Sequence, residues 1–179
     1  MTMQLEVKEV GVAYDGNSVI DGVSFSLQPG EIGCLLGPSG CGKTSLLRAI
    51  AGFEPVTKGE IRLHDKTVSQ PHNRLPTEQR RVGMVFQDYA LFPHLDVASN
   101  ISFALKGKSK TEKRQVAEQL LETVGLAGYA DRYPHELSGG MRQRAMIAMA
   151  IALDPDLIIA DEPTTALDVV TQVQILKLL

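Results

Sequence analysis

Strong basicity, long apolar runs, clustered cysteines and paired histidines are all scarce in this 179-residue chain. Each scarcity closes off a class of function. Eighteen lysines and arginines stand against 21 aspartates and glutamates, a net charge of −3. A basic face is therefore not expected, and nucleic acid is not expected among the partners. The longest wholly apolar run, Ala145 to Leu153, is less than half of the ~20 residues that a membrane-spanning helix needs. Met1 to Glu6 has neither a basic start nor an apolar block, so a secretory leader is not expected. The two cysteines, Cys34 and Cys41, form no metal-type pair and are read as reduced thiols of a cytosolic protein. His64, His72, His94 and His135 show neither i,i+4 nor cysteine-paired spacing, which reads as surface or loop positions rather than a metal site. There is no internal repeat and no low-complexity tract. Hydrophobic residues nevertheless make up 44% of the chain, enough for about one domain with a real core.

What is present begins at Gly37-Pro38-Ser39-Gly40-Cys41-Gly42-Lys43-Thr44, a complete G-x-x-x-x-G-K-[ST] phosphate loop. Binding a nucleoside triphosphate requires backbone N–H groups that close round its oxygens, so glycines belong where the chain bends tightly. Lys43 supplies a point charge for the outer phosphates, and the Thr44 hydroxyl is suited to ligate Mg²⁺. The flanks predict a short apolar strand at 32–36 and a helix from Ser45 to a stop at Gly52, its positive end facing the phosphates. Leu157-Ile158-Ile159-Ala160 followed by Asp161-Glu162 forms a Walker B pattern, a buried strand opening on two acids. Asp161 there suits Mg²⁺ and Glu162 suits polarising an attacking water, the set that phosphoryl transfer needs. Alone, the two acids read equally as a solvated strand end.

Alternation predicts strands around Leu5 to Val12 and Val23 to Leu27, then at 59–63 and 82–86. From Val97 to Leu153 the signal is helical, with one helix over 111–124 stopped by Gly125. A second, over 140–153, is apolar nearly all round after Arg144 and is predicted to be buried.

Leu137-Ser138-Gly139-Gly140 places a hydroxyl and glycine N–H groups at a helix start, a second anion site or a plain N-cap. Together with the two Walker patterns it makes the chain resemble the ATP-binding cassette (ABC) ATPases, over essentially its whole length. The resemblance implies an α/β P-loop NTPase of the ABC type. Such a fold has a mostly parallel core sheet, N-terminal antiparallel strands and an inserted α-helical subdomain. Its nucleotide-binding core would be 1–87 and 155–179, and its helical subdomain, with the signature, 88–154. ATP and Mg²⁺ are the implied cofactors. Tyr14 matches the aromatic that stacks on adenine, with phosphates on Gly40 to Ser45. Gln87 matches the glutamine that contacts metal and water, so the metal ligands would be Thr44, Gln87 and Asp161. The catalytic group would be Glu162, Lys43 and Gln87. Ser138, Gly139 and Gly140 would close on the nucleotide of a second subunit packed head-to-tail, and Asp168 would lie in the D-loop that touches that subunit. Asp88 to Leu95 would meet a transmembrane permease, placing the protein in the cytoplasm on the inner face of the cell membrane.

Two features depart from the pattern. No histidine follows His135 and the chain stops at Leu179, which predicts a truncated domain lacking its last strands, with weak hydrolysis in isolation. The part from Gly37 to Leu105 is similar to ferric-iron and polyamine importer ATPases, whereas Ser138 to Leu179 is similar to the dipeptide and oligopeptide group, as in a chimera or a divergent member. A nucleotide-binding module without hydrolysis is the alternative that the missing histidine favours. A DNA-repair or chromosome-organising cassette is disfavoured, because the inserted segment is short and lacks heptads.

Overall fold

The computed structural model describes residues 3–163, which divide between Val82 and Gly83 into two compact units.

The first unit is built on strands β1 (Leu5–Tyr14), β2 (Asn17–Leu27), β3 (Lys58–Leu63), β4 (Lys66–Gln70) and β5 (Asn73–Arg74), in the order β2-β1-β3-β4-β5. All four ladders are antiparallel. Two tight reversals set the register. Asp15 and Gly16 join β1 to β2, and His64 and Asp65 join β3 to β4, all four with positive φ, the backbone that two-residue hairpin turns of the right twist require. Leu5 pairs with Leu27 on one side and Leu63 on the other, and Val7 with Phe25 and Ile61. Leu5, Val7, Val10, Val12, Ile61 and Leu63 are buried.

The alternation in β1 breaks between Val7 and Val10 because the strand bulges there. The ladder register shifts on both sides, and Glu9 has φ 48°. The bulge is pinned by its own polar pair: Glu9 N–H donates to Ser24 Oγ (2.8 Å), whose hydroxyl donates back to Glu9 Oε1 (2.9 Å). Opposite it, Gly59 has φ 75°, and a Cβ there would collide with the Lys8 and Glu9 carbonyls. Only glycine meets both conditions.

Helix α1 (Lys43–Ala51) lays Leu46, Ala49 and Ile50 into the core of this unit and ends at Gly52. Its last turn is held by Arg80, which is 4% exposed. The Arg80 guanidinium donates to the carbonyls of Ala49 (3.0 Å), Ile50 (2.8 Å), Val68 (2.8 Å) and Leu75 (2.9 Å), and to Ser69 Oγ (2.8 Å). Burial without a carboxylate, with Arg74 nearby, pushes its pKa down to about 10. The cation thus ties the free carbonyl end of α1 to β4.

The predicted strand at 32–36 does not form. Residues 31–38 have no regular structure, and Ile32 and Leu36 are 91% and 88% exposed. An apolar extended segment becomes a buried strand only with hydrogen-bonded neighbours, and the five strands of this unit pair among themselves.

The second unit holds β6 (Val82–Val85) beside β7 (Leu157–Ala160), with α2 (Val97–Ser102), α3 (Lys110–Thr123) and α4 (Gly139–Ile151) between them in sequence. Its core comprises Val85, Ile101, Leu121, Leu126, Met146 and Ile147, among others. Ser109 and Glu112 make a reciprocal capping box at the start of α3, and Gly125 (φ 71°) follows its end. The predicted all-round burial of the last long helix holds only for Ala145 to Ala148; Met149 to Ala152 are half-buried and Leu153 is 57% exposed.

Candidate functional site

In the first unit, α1 opens without a side-chain cap. Its N-cap is Gly42, with φ 93°, and a Cβ there would press on Ile20 and on the Val19 carbonyl. No side chain of the N-cap therefore competes for the N–H groups of the first turn, the arrangement that makes a helix start an anion site. Lys43 folds over the loop. Its Nζ donates to the carbonyls of Gly37 (2.8 Å) and Pro38 (2.9 Å) and stands 3.8 Å from Cys41 Sγ. The loop thus already curls round an ammonium, and the same ammonium can be handed to a phosphate oxygen, an oppositely charged acceptor in place of two neutral carbonyls. Gly37 to Cys41 are exposed, and Thr44 and Ser45 half-buried. Tyr14, 39% exposed at the end of β1, donates its hydroxyl to Ser45 Oγ at 3.3 Å. The structure therefore brings the predicted aromatic to the first turn of α1, with part of its ring in solvent. Both cysteines are free and exposed.

In the second unit, Asp161 and Glu162 follow β7 directly. Asp161 N–H donates to the Val85 carbonyl at 2.9 Å, extending the pairing of β7 with β6 by one residue. Asp161 is 4% exposed, whereas Glu162 is exposed with φ 48°. Burial thus separates the two acids, one held inside at the strand end and one turned out to water. Gln87, two residues past β6, donates its side-chain amide to Glu162 Oε2 at 3.4 Å, so three of the predicted residues gather at the ends of two neighbouring strands.

Within the second unit, Gln87, Asp161 and Glu162 offer amide and carboxylate oxygens, donors that suit a hard cation such as Mg²⁺. Among the described residues no three His, Cys, Asp or Glu side chains form a cage.

Ser138 caps α4. Its Oγ accepts the Met141 N–H at 3.3 Å, while its own side chain remains exposed and Gly139 and Gly140 form the first helical turn. Asp168 lies outside the described residues.

The segment after Gln87 carries a feature that the sequence reading did not single out. Asn100, fully buried in α2, accepts the Phe92 N–H on Oδ1 (2.7 Å) and donates Nδ2 to the carbonyls of Phe92 (3.1 Å), Leu95 (3.1 Å) and Asp96 (3.0 Å). The one signal available was a lone asparagine among Val97, Ala98 and Ile101, where a helix interior disfavours it. Beside this clamp, Phe92 and Phe103 are 38% and 61% exposed, with ring centroids 4.7 Å apart.

Comparison with known proteins gives the family. Over 167 residues the chain is 49% identical to the "Fe(3+) ions import ATP-binding protein FbpC 2" of Haemophilus influenzae, a match covering 92% of the chain and 47% of that relative. It is 48% identical over 167 residues to the "Spermidine/putrescine import ATP-binding protein PotA" of Chromobacterium violaceum, covering 92% of the chain and 45% of the relative. The chain therefore spans about half the length of the curated relatives it matches. Among solved structures, the dimeric, post-hydrolysis structure of the ATP-binding cassette MJ0796 bound to ADP and Pi superposes with a TM-score of 0.87 at 32% identity, covering 97% of the chain and 80% of that chain. The fold is accordingly the α/β P-loop NTPase fold of the ATP-binding cassettes. The family description "ABC transporter" matches residues 20–165, and by that match the chain belongs to the ABC transporter family.

Proposed function

We propose that the chain is the ATP-binding and ATP-hydrolysing part of an importer subunit. The observation that carries this is the uncapped start of α1, with Lys43 folded over the glycine loop, in a chain whose β7 ends on a buried and an exposed acid. In this reading the N–H groups of Gly40 to Ser45 and the Lys43 ammonium bind the phosphates, and Tyr14 offers its exposed ring to adenine. Thr44, Gln87 and Asp161 hold Mg²⁺, which offsets phosphate charge when bound. Glu162 is the base that orients and deprotonates water, and the Gln87 amide fixes the direction of its carboxylate.

Ser138, Gly139 and Gly140 serve the nucleotide of a second, head-to-tail copy, in keeping with the dimeric MJ0796 structure. The asparagine-clamped segment from Asp88 to Leu95 meets permease subunits. No helix of the described residues is long and apolar enough to cross a membrane, so the reading places the chain in the cytoplasm, on the inner face of the membrane. Residues 88–154 then act as the signature-bearing subdomain of a core made by 1–87 and 155–179. Import is favoured over other uses of the cassette by the printed roles of the relatives.

Calorimetric titration with MgATP, paired with steady-state phosphate release, tests the reading. Lys43→Ala removes about two charge-assisted hydrogen bonds and should weaken ATP binding about 10²-fold. Glu162→Gln should keep binding and lose about 10²–10⁴ in turnover. Unchanged turnover in Glu162→Gln refutes its role as base. Binding without any turnover in the parent chain supports a nucleotide-binding module instead.

A further inference from the structure

Two side chains with no phosphate or metal role meet in the second unit. Tyr89 lies two residues beyond Gln87, and Arg142 lies in the first turn of α4, four residues beyond Ser138. The Arg142 guanidinium carbon stands 4.6 Å over the centroid of the Tyr89 ring, well inside the range of cation–ring attraction. The ring is also held from the protein side, because half-buried Tyr89 packs against the helical core. Arg142 Nε is buried and has no hydrogen-bond partner among the described residues. A buried guanidinium N–H without an acceptor is costly, so the negative face of the ring is what accommodates this cation.

From this contact we infer that Tyr89 and Arg142 are a positioning pair. They fasten the segment beginning at Gln87 to the N-terminal turn of α4, so that displacement of the segment displaces Ser138 and its neighbouring N–H groups. The functional half of this inference rests on the proposed reading of Ser138 as a nucleotide contact; the mechanical half does not.

The mechanical half is measured by amide hydrogen exchange in 88–95 and in 139–143. Tyr89→Leu and Arg142→Met should each speed exchange in both segments about five-fold, the loss expected for one partly exposed cation–ring contact. The double variant should be no faster than either single one. Tyr89→Phe, which keeps the ring face, should match the parent. Steady-state turnover should fall by a similar factor in the two disruptive variants, while the Kd for MgATP, set by the chain's own phosphate loop, stays unchanged.

The pair is refuted if each substitution loosens only its own segment, if the two effects multiply in the double variant, or if Tyr89→Phe behaves like Tyr89→Leu. Should Tyr89→Leu fail to fold, Arg142→Met alone decides, through exchange in 88–95, to which it does not belong. A parent chain that neither binds nor hydrolyses ATP would overturn the proposed function, and the exchange measurement would still judge the pair.

Discussion

Replacing Arg80 with methionine tests whether a buried cation holds the phosphate-loop helix in place. The substitution keeps most of the volume and removes five donated hydrogen bonds, four of them to carbonyls and one to Ser69 Oγ. At roughly 1 kcal/mol per neutral acceptor left unpaired, the loss is about 5 kcal/mol. Against this, the guanidinium no longer has to be desolvated. Its pKa of about 10 lies 2–3 decades below the usual value, or about 3 kcal/mol of disfavoured charge. The difference leaves Arg80→Met less stable by about 2 kcal/mol, and thermal unfolding should fall by about 4–8 °C for a chain of this length. Arg80→Lys should be worse, because it keeps a charge to bury but has three donors where the guanidinium has five. Urea unfolding followed by circular dichroism, with a constant m-value, measures both. If Arg80→Met matches the parent within about 0.5 kcal/mol, which is the scatter of ordinary surface changes, the anchoring role is wrong.

Three other perturbations have defined outcomes. Asn100→Ala unpins the Phe92–Asp96 turn and should cost about 2–3 kcal/mol, with new proteolytic cleavage confined to 92–96; unchanged cleavage would mean that the turn holds itself. Gly59→Ala places a Cβ against the Lys8 and Glu9 carbonyls at φ 75° and should cost about 3 kcal/mol or more in urea unfolding, whereas a loss below about 1 kcal/mol would show that the bulge relaxes freely. Hydrogen bonding from Arg114 holds the Asp131 carboxyl below its ordinary 3.8. Its stabilisation is therefore full above pH 3.8 and is lost as the pH falls through the depressed folded value. The Tm difference between the parent and Asp131→Asn should close over that window and shrink with salt, and a gap that persists below it would refute the assignment.

How much could be read in advance depended on whether the signal was local. Strand β7 was found at its observed limits because four apolar residues run straight into two acids. Helix α3 was found to within one residue of each end, since the helical spacing of its apolar residues and the glycine stop that follows are both local signals. Strands β4 and β5 were missed. They are short, polar and largely exposed, and owe their form to pairing, β4 with β3 and β5 with β4, rather than to their own pattern. The 32–36 segment failed in the opposite sense: its apolar run was visible, but strand formation depends on neighbours that no window of sequence contains. The phosphate-loop residues were legible as a motif. The contacts of Lys43 with the Gly37 and Pro38 carbonyls, and of Gln87 with Glu162, 75 positions away, were not, because they follow from backbone course and long-range folding.

Asn100 reads the distance between three carbonyls as much as it satisfies them. Inserting or deleting one residue between 92 and 96 would shift some of those carbonyls by about 3.8 Å, out of reach of a single amide, and strand polar groups in a dry interior. Variation on this face is therefore confined to exchanging side chains such as Phe92 and His94 on a loop of fixed length. On the proposed reading of this face as a docking surface, a lineage adapting to a different partner would change its chemistry there long before it changed its contour.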